Sequence, residues 1–265
     1  MRAVALAALV AVALAAALAG AVGAPAAPPR WHPAPGLSWQ LQLSGRLDPT
    51  VAADVFELDG AETTAATVAG LHAAGKQVVC YVDAGSWESW RADAKRFPAA
   101  VIGLPLAGWP DERWLDIRRL DALLPLLRAR IAACADKGFD GIDFDNVDGY
   151  TNRTGFPLRA ADQLRFNRRL AVEAHARGLA AGLKNDLGQV RQLVASFDWA
   201  IDEQCFEFGE CAKLLPFVAV GKPVVVVEYA TPAGVFCASA VELGFAAMRK
   251  HRALDAWRQA CPRPR

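Results

Sequence analysis

The sequence predicts an α/β fold, a single (β/α)8 TIM barrel, and three observations lead to this expectation. The chain has 265 residues, and such barrels commonly occupy about 250 residues as one domain. A helical stretch that ends at glycine and is followed by a short apolar strand recurs at 71–85, 133–149, 174–186 and 217–230. Enough further strands occur to complete a ring, and alternation of helices and strands is typical of a parallel sheet.

The predicted strands are short apolar runs, and many of them end at a carboxylate or amide residue. Runs of this kind suit burial on both faces of a parallel sheet. We place them at 38–43, 54–58, 78–83, 113–117, 140–145, 179–184, 198–203 and 223–229. A doubly wound open sheet is the alternative, but the GxGxxG turn that follows the first strand of such folds is absent.

Helices are predicted between these strands, and several of them end at a glycine that can adopt the left-handed conformation. Asp121 and Asp162 stand near the starts of two helices, where acidic residues are favoured. The predicted helices span 63–74, 87–95, 119–137, 160–177, 187–196 and 239–250.

The N-terminal residues 1–24 are predicted to be a signal peptide. Arg2 precedes an apolar run over 3–19, and small residues follow as they do before a peptidase site. An uncleaved anchor is the alternative, since the run approaches the roughly 20 residues needed to span a membrane. The run is mostly alanine, so we expect cleavage, a secreted, periplasmic or extracellular location, and no stable membrane span. A proline-rich linker then covers 25–36, and 37–265 forms the folded domain.

The six cysteines are expected to form disulfides, because the signal peptide would route the chain to an oxidising compartment. Spacing favours the pairs Cys205–Cys211 and Cys237–Cys261. Cys80 falls in a predicted strand and Cys134 in a predicted helix, so these two either pair or remain buried thiols. No CxxC spacing indicates a zinc site.

The charge balance argues against one class of partner. Lys and Arg number 29 and Asp and Glu number 28, a net charge of +1. Nucleic-acid binding usually requires a clustered basic surplus, so no nucleic acid is expected. We expect the protein to act as a monomer.

The chemistry predicted at the barrel mouth is mostly that of carboxylates. Active sites of such barrels lie at the carboxyl ends of the strands. All four histidines lie in the linker or in helices, so no histidine-ligated metal, catalytic triad or cofactor is expected. The strand ends and the loops after them supply Asp59, Asp83, Asp116, Asp143, Asp145, Asn146, Asp148, Lys184, Asn185, Asp186, Glu203, Gln204 and Glu228.

Aromatic residues accompany these acids and could stack on sugar rings. They include Trp39, Tyr81, Trp87, Trp109, Trp114, Tyr150 and Tyr229. Paired carboxylates in a cleft with aromatic walls are what cleavage of a glycosidic bond requires, since one acid protonates the leaving oxygen and the other attacks carbon or activates water. The residues therefore predict a glycosidase with no metal.

The choice of the catalytic pair rests on the alternation of side chains along a strand. In the fifth predicted strand, Asp143 and Asp145 face the barrel interior and Phe144 faces the helices. Asp145 is nearer the mouth, and Glu203 is the last acid of the seventh strand. We therefore predict that Asp145 and Glu203 form the pair, with Asp143 and Asp116 as polar support.

The sequence resembles a known family over 39–229. The blocks WQLQLSG (39–45), CYVDAGSWESWR (80–91), GFDGIDFDNVDGYTN (138–152), HARGLAAGLKND (175–186) and DEQCFEFGEC (202–211) resemble glycoside hydrolase family 114, the endo-α-1,4-polygalactosaminidases. The resemblance implies a TIM barrel and cleavage within a cationic, partly deacetylated galactosamine polysaccharide. It also implies Asp145 and Glu203 as the catalytic acids. The chain departs from many relatives at Asp143-Phe144, where they carry Glu-Pro.

Three alternatives remain at this point. Lys184 could form a Schiff base in an aldolase-type lyase, although surrounding acids would raise its pKa and keep it protonated. The barrel could bind a polysaccharide without cleaving it. A hydrolase with a carboxylate-bound metal is the third alternative.

Overall fold

The computed structural model describes residues 30–263. The strands are β1 (Trp39–Gln42), β2 (Val55–Asp59), β3 (Gln77–Asp83), β4 (Ser86–Glu88), β5 (Ile102–Leu106), β6 (Trp109–Leu115), β7 (Gly141–Asp145), β8 (Ala180–Lys184), β9 (Trp199–Glu203), β10 (Val224–Glu228), β11 (Ala246–Lys250) and β12 (Arg258–Ala260). Eight of them are parallel neighbours in the order β1, β2, β3, β7, β8, β9, β10, β11, which confirms the predicted TIM barrel.

Helices cover the outside of the barrel. In the helix over Ala160–His175, for example, Phe166, Leu170 and Ala174 are buried on one face at helical spacing. Gly138 (φ 87°) and Gly178 (φ 76°) lie just beyond two helices, in the conformation that ends them. The helices are α1 (Ala65–Ala73), α2 (Leu120–Asp136), α3 (Ala160–His175), α4 (Val190–Leu193), α5 (Leu215–Ala219) and α6 (Ala233–Glu242).

The lower part of the barrel interior is filled by aromatic side chains. Trp31, Trp39 and Trp199 pack with ring centroids 5.7 to 6.2 Å apart. A Cβ atom at Gly182 would lie 2.4 Å from Trp199, and one at Gly141 would lie 2.8 Å from it, so both positions need glycine. The packed floor leaves the barrel open only toward the carboxyl ends of its strands.

The fourth predicted barrel strand and the helix predicted at 87–95 are both wrong. Residues 113–117 mostly belong to β6, which lies with β4 and β5 in a separate antiparallel sheet inserted between β3 and α2. The segment 87–95 contains the end of β4 and a short 3-10 turn. The first three residues of β6 are exposed, whereas Glu112, Trp114 and Leu115 are buried.

The predicted helix at 239–250 is also wrong in its second half. Helix α6 ends at Glu242, and Gly244 follows with φ 78°. Residues 246–250 then form β11, the eighth barrel strand, which pairs with β10. The run AAMRK favours a helix by local propensity, but pairing along the exposed edge of β10 overrides that preference.

The C-terminal segment packs at the seam between β1 and β11. β12 pairs antiparallel with β11, and the Arg258 guanidinium donates to the backbone carbonyls of Trp39 and Ala52. Nearby, the Leu43 N–H donates to the Leu254 carbonyl at 2.8 Å. The tail therefore ties the first strand to the last one.

The six cysteines form three disulfides. The favoured pairs Cys205–Cys211 and Cys237–Cys261 are both present. Cys80 and Cys134, which were expected either to pair or to remain buried thiols, form a third disulfide that joins β3 to α2. All three are compatible with an oxidising compartment.

The predicted signal peptide and the first five residues of the predicted linker, 25–29, lie outside the described residues. Within 30–263, the structure contains no helix with the length and apolar character needed to cross a membrane.

Candidate active site

A cleft of about 580 Å³ opens at the carboxyl ends of the barrel strands. This is where active sites of the fold are found. Its floor carries polar residues from β7, β8 and β9, and its walls come from the inserted sheet and from the segment after β11. The lining includes Asp59, Glu62, Tyr81, Glu88, Trp90, Arg91, Trp109, Glu112, Asp145, Asn146, Lys184, Asn185, Glu203, Gln204, Tyr229 and Arg252.

The centre of the cleft is a lysine between two carboxylates. Lys184 Nζ lies 3.1 Å from Asp145 Oδ1 and 3.4 Å from Glu203 Oε2. The sum of these two distances sets an upper limit of about 6.5 Å on the separation of the two oxygens, and any bend at Nζ shortens it. The structure thus brings together the two acids that the sequence analysis paired.

Each carboxylate is also held by a tyrosine. The Tyr81 hydroxyl donates to Asp145 Oδ2 at 2.7 Å, and the Asn146 N–H donates to Oδ1 at 2.9 Å. The Tyr229 hydroxyl donates to Glu203 Oε1. These contacts fix the orientation of both acids in the cleft.

The surroundings favour the charged forms of Asp145 and Lys184. Burial acts to raise the pKa of Asp145, but Lys184 and the donors from Tyr81 and Asn146 hold it below its ordinary value. Burial acts to lower the pKa of Lys184, but the charges of Asp145 and Glu203 raise it well above its ordinary value. Lys184 therefore stays an ammonium, which is unsuited to Schiff-base formation.

The backbone adopts an unusual conformation just after three of the floor strands. Asn146, Asn185, Asp186 and Gln204 have φ of 58°, 52°, 45° and 69°. Non-glycine residues in this region cost free energy and cluster at functional sites. The turn at Asn185 has a visible effect, because its Oδ1 accepts the Glu203 N–H at 3.0 Å.

A second pair of acids lies in the barrel interior below the cleft. Glu57 accepts a hydrogen bond from Trp39 Nε1 at 2.9 Å, and its carboxyl lies within hydrogen-bonding reach of Asp143. No N–H or O–H of another described residue reaches either Asp143 oxygen. Burial raises the pKa of Glu57 to about 7 and that of Asp143 well above its ordinary value. These raised pKa values favour the protonated form of at least one of the two carboxyls, which can then donate to the other.

A third polar network connects the floor of the cleft to the inserted sheet. Asp83 is fully enclosed and accepts hydrogen bonds from the Ser86 N–H at 2.7 Å and from Asn146 Nδ2 at 2.8 Å. The Ser86 hydroxyl also lies 3.1 Å from Glu112. Burial, followed by the charge of Glu88, raises the pKa of Asp83 well above its ordinary value. Asp83 therefore supports Asn146 from below and does not face the cleft.

Several residues predicted for the site lie elsewhere. Trp39 belongs to the aromatic floor of the barrel. Asp116 follows the inserted sheet and is paired with Arg118 at 2.7 Å. Glu228 is buried and accepts the Phe206 N–H at 2.8 Å. Their carboxylates and ring do not line the cleft, because each side chain is used inside the fold.

Asp148, Tyr150 and Asp186 form a separate cluster beside the cleft. Burial, followed by the charge of Asp145, raises the pKa of Asp148 to about 6. Burial, followed by the charge of Asp148, raises the pKa of Asp186 to about 8. Asn167 Nδ2 donates to Asp186 at 2.9 Å. The cluster lies behind the loops that follow β7 and β8.

The sequence analysis missed several residues of the cleft walls. Glu62 lies three residues past the end of β2. It could have been found by considering the whole loop after each strand and not only the strand end. Trp90 lies just after β4, Glu112 lies in β6, and Arg252 follows β11. These were missed because the sheet and the last strand were assigned incorrectly.

Comparison with known proteins places this site in a family. The model of the glycoside hydrolase family GH114 matches residues 20–264. The chain belongs to glycoside hydrolase family 114. It is therefore a glycoside hydrolase, as the sequence resemblance implied. No match was found among curated protein sequences.

Two solved structures resemble the chain to different degrees. Ega3 from Aspergillus fumigatus, solved in complex with galactosamine, shares 35% identity with a TM-score of 0.83, and the match covers 88% of this chain and 98% of Ega3. The glycoside hydrolase domain of PelA from Pseudomonas aeruginosa shares 18% identity with a TM-score of 0.70, and the match covers 84% of this chain and 98% of that domain. The PelA likeness supports the fold alone.

Proposed function

We propose that this protein is a secreted, endo-acting hydrolase of α-1,4 linkages in a galactosamine-containing polysaccharide. The observation that carries the proposal is the pair of carboxylates bridged by Lys184 at the floor of the cleft. The galactosamine bound by Ega3, which is 35% identical, supports the sugar class. The three disulfides support secretion.

In the proposed mechanism, Asp145 is the nucleophile and Glu203 is the acid and base. Protonated Glu203 gives its proton to the glycosidic oxygen while Asp145 attacks the anomeric carbon, and the carbon–oxygen bond to the leaving chain breaks. Glu203, now a carboxylate, then takes a proton from water. That water attacks the same carbon and releases the sugar from Asp145.

The spacing of the carboxylates favours retention of configuration. Inverting enzymes hold their two carboxyl groups about 6.5 to 9.5 Å apart to leave room for water, and retaining enzymes hold them at about 5 to 5.5 Å. The limit of about 6.5 Å set by the two contacts of Lys184 is reached only if the three atoms are collinear. A bent arrangement brings the two oxygens below this limit, toward the spacing of retaining enzymes.

The proposed role of Lys184 is electrostatic. Its ammonium keeps Asp145 ionised, as a nucleophile must be, and it lies within reach of both acids. Tyr229 holds Glu203 from the other side. A Schiff-base lyase is disfavoured because that reaction needs a neutral amine.

The experiment that tests the proposal compares Asp145→Asn and Glu203→Gln with Asp116→Asn. The substrate is a partly deacetylated α-1,4-galactosamine polymer, and the readouts are new reducing ends and chain length. Both cleft variants should lose at least about 1000-fold in kcat, which is the scale of a required catalytic group. The control, whose carboxylate is paired with Arg118 outside the cleft, should keep most of the activity once folding is verified by thermal melting. Near-normal turnover in either cleft variant would refute the assignment, and unchanged chain length with the unmodified protein would indicate binding without cleavage.

A further inference from the structure

Charged residues divide the mouth of the barrel into two sides. The acidic residues end or follow β2 or lie in the inserted sheet after β3, whereas Arg249 lies in β11 and Arg252 follows it. Both arginines contact Tyr229, which directly follows β10. In the ring of eight parallel strands, β3 is third and β10 is seventh, so the acidic residues after β3 and the arginines at Tyr229 lie across the mouth from each other. We name the sides the acidic side (Asp59, Glu62, Glu88, Glu112) and the arginine side (Arg249, Arg252).

The acidic side keeps unpaired negative charge next to aromatic rings. Arg91 is paired with Asp59 at 2.7 Å and with Glu88 at 2.6 Å. Arg130 lies 3.7 Å from Glu88, so these two acids are offset by two arginines. Glu62 and Glu112 add further carboxylates to the cleft wall. Trp90 and Trp109 are 55% and 56% exposed beside them.

This combination suits a sugar that carries an ammonium group. Carboxylate oxygens accept hydrogen bonds from an ammonium, and the face of a tryptophan ring attracts a cation. A neutral N-acetylated sugar would leave the carboxylates without a charged partner. The acidic side therefore favours a deacetylated residue.

The arginine side begins one side chain away from the proposed acid and base. The guanidinium of Arg252 lies 5.2 Å from the centre of the Tyr229 ring, and Tyr229 donates to Glu203. Arg249 Nε donates to the Tyr229 carbonyl at 3.0 Å. A cation therefore lies next to the position that one of the two sugars joined by the scissile bond must occupy.

The rest of the arginine side offers a platform with little free negative charge. Trp257 stacks on His251 with centroids 4.2 Å apart and is 40% exposed. The carboxylate of Asp255 lies 3.0 Å from His251 Nδ1, and the described residues that line this side include Arg249, Lys250 and Arg252 but no acid. The platform borders a pocket of about 360 Å³ that shares Tyr229 and Arg252 with the cleft.

The chemistry of this side disfavours an ammonium. A guanidinium has five donors and no acceptor, and an ammonium is also a donor only, so the two cations repel each other. The carbonyl oxygen of an acetamido group accepts from arginine, and its methyl group can pack on a tryptophan face. The arginine side therefore favours an N-acetylated sugar.

We propose that the two sides form subsites of opposite preference, so that the enzyme cleaves between a deacetylated galactosamine on the acidic side and an N-acetylated residue on the arginine side. This inference rests on the proposed function. It makes the acetylation pattern across the scissile bond, and not only the overall degree of acetylation, the feature that selects the cleavage point.

The test is an analysis of the ends that cleavage creates. An α-1,4-galactosamine polymer, randomly acetylated at about half of its residues, is digested briefly, and the new reducing and non-reducing ends are identified by tandem mass spectrometry. We expect at least a tenfold excess of free amine at one new end and at least a tenfold excess of acetamide at the other. Equal amounts of both groups at both ends would overturn the inference while leaving the proposed function intact. Failure to cleave polymers of every degree of acetylation would instead refute the proposed function.

Variants identify which residues cause the asymmetry. Arg252→Glu should reduce the excess of acetamide at its end at least fivefold and leave the free-amine end unchanged. Glu112→Gln should do the reverse. Arg191→Gln, which removes an exposed arginine of α4, is the matched control and should change neither end. Retention of both excesses in Arg252→Glu would show that the arginine side does not select the sugar.

Discussion

Replacing Lys184 by glutamine should move the acid limb of the pH–activity profile to higher pH. The ammonium lies 3.1 Å from Asp145 Oδ1, and two unit charges at that separation attract each other by about 5 kcal/mol at an effective dielectric constant of 20. Solvent in the cleft and the donors that remain, Tyr81 and Asn146, reduce the net effect. We expect about 1.4 to 2.8 kcal/mol, which raises the pKa of Asp145 by about one to two units.

The assay is kcat/KM for polymer cleavage between about pH 3 and 9. Asp145 must be ionised to attack, so a higher pKa means that activity is lost at a higher pH as the solution is acidified. Lys213→Gln, which removes an exposed lysine paired with Glu210 at 2.6 Å, is the control and should leave the profile unchanged. An acid limb at the same pH in Lys184→Gln and in the unmodified enzyme would refute the reasoning, provided that thermal melting shows both to be folded.

Three further predictions concern hydrogen bonding and stability. Tyr81→Phe removes the 2.7 Å donor to Asp145 and should move the same acid limb up by about one pH unit, since a hydrogen bond to a charged group contributes about 1.5 to 3 kcal/mol; an unshifted limb would contradict this. Burial acts to raise the pKa of Asp198, but His175 and the Ala181 N–H hold it below its ordinary value. This carboxylate therefore stabilises the fold above about pH 4, and the stabilisation is lost as the pH falls through the pKa of Asp198 in the folded protein. Asp198→Asn should therefore reduce the free energy of unfolding at pH 7 by about 1 to 3 kcal/mol and lower the melting temperature. The difference in melting temperature between this variant and the unmodified protein should narrow toward pH 3, and a constant difference would argue against the linkage. Replacing the Cys80–Cys134 disulfide, which spans 54 residues, by serines should reduce the free energy of unfolding by about 4 kcal/mol. The same change at Cys205–Cys211, which spans 6 residues, should reduce it by about 2 kcal/mol. Calorimetry of the two variants checks that the first is the less stable one.

Much of the fold could be predicted because its signals are local. Glycines that end helices, such as Gly138 and Gly178, and continuous apolar strands mark the βα units at β7 and β8 without any tertiary information. The eighth strand could not be predicted this way, because AAMRK has the local preference of a helix and becomes a strand through pairing with β10. The strand predicted at 113–117 overlaps β6 only at 113–115, and the membership of β6 in a separate sheet depends on partners that spacing does not reveal.

The candidate site could also be predicted only where the sequence signal is local. Alternation along β7 was enough to predict that Asp145 points inward, and the last acid of β9 gave Glu203. The partners of a buried acid could not be predicted, because they come from segments distant in sequence: Glu57 with Asp143, and Asn146 with Asp83. Trp39 and Glu228 were placed in the cleft for the same reason, since a position near the end of a strand does not specify how deep in the barrel a side chain lies.

The measurement that tests the central claim most directly is covalent trapping of the nucleophile. The protein is incubated with a 5-fluoro-α-galactosaminyl fluoride, which slows release of the glycosyl-enzyme, and is then digested for peptide mass mapping. We predict one sugar per chain, attached to the Asp145 carboxylate. A sugar on any other side chain, or steady turnover of the probe with no labelled peptide, would contradict the proposed mechanism.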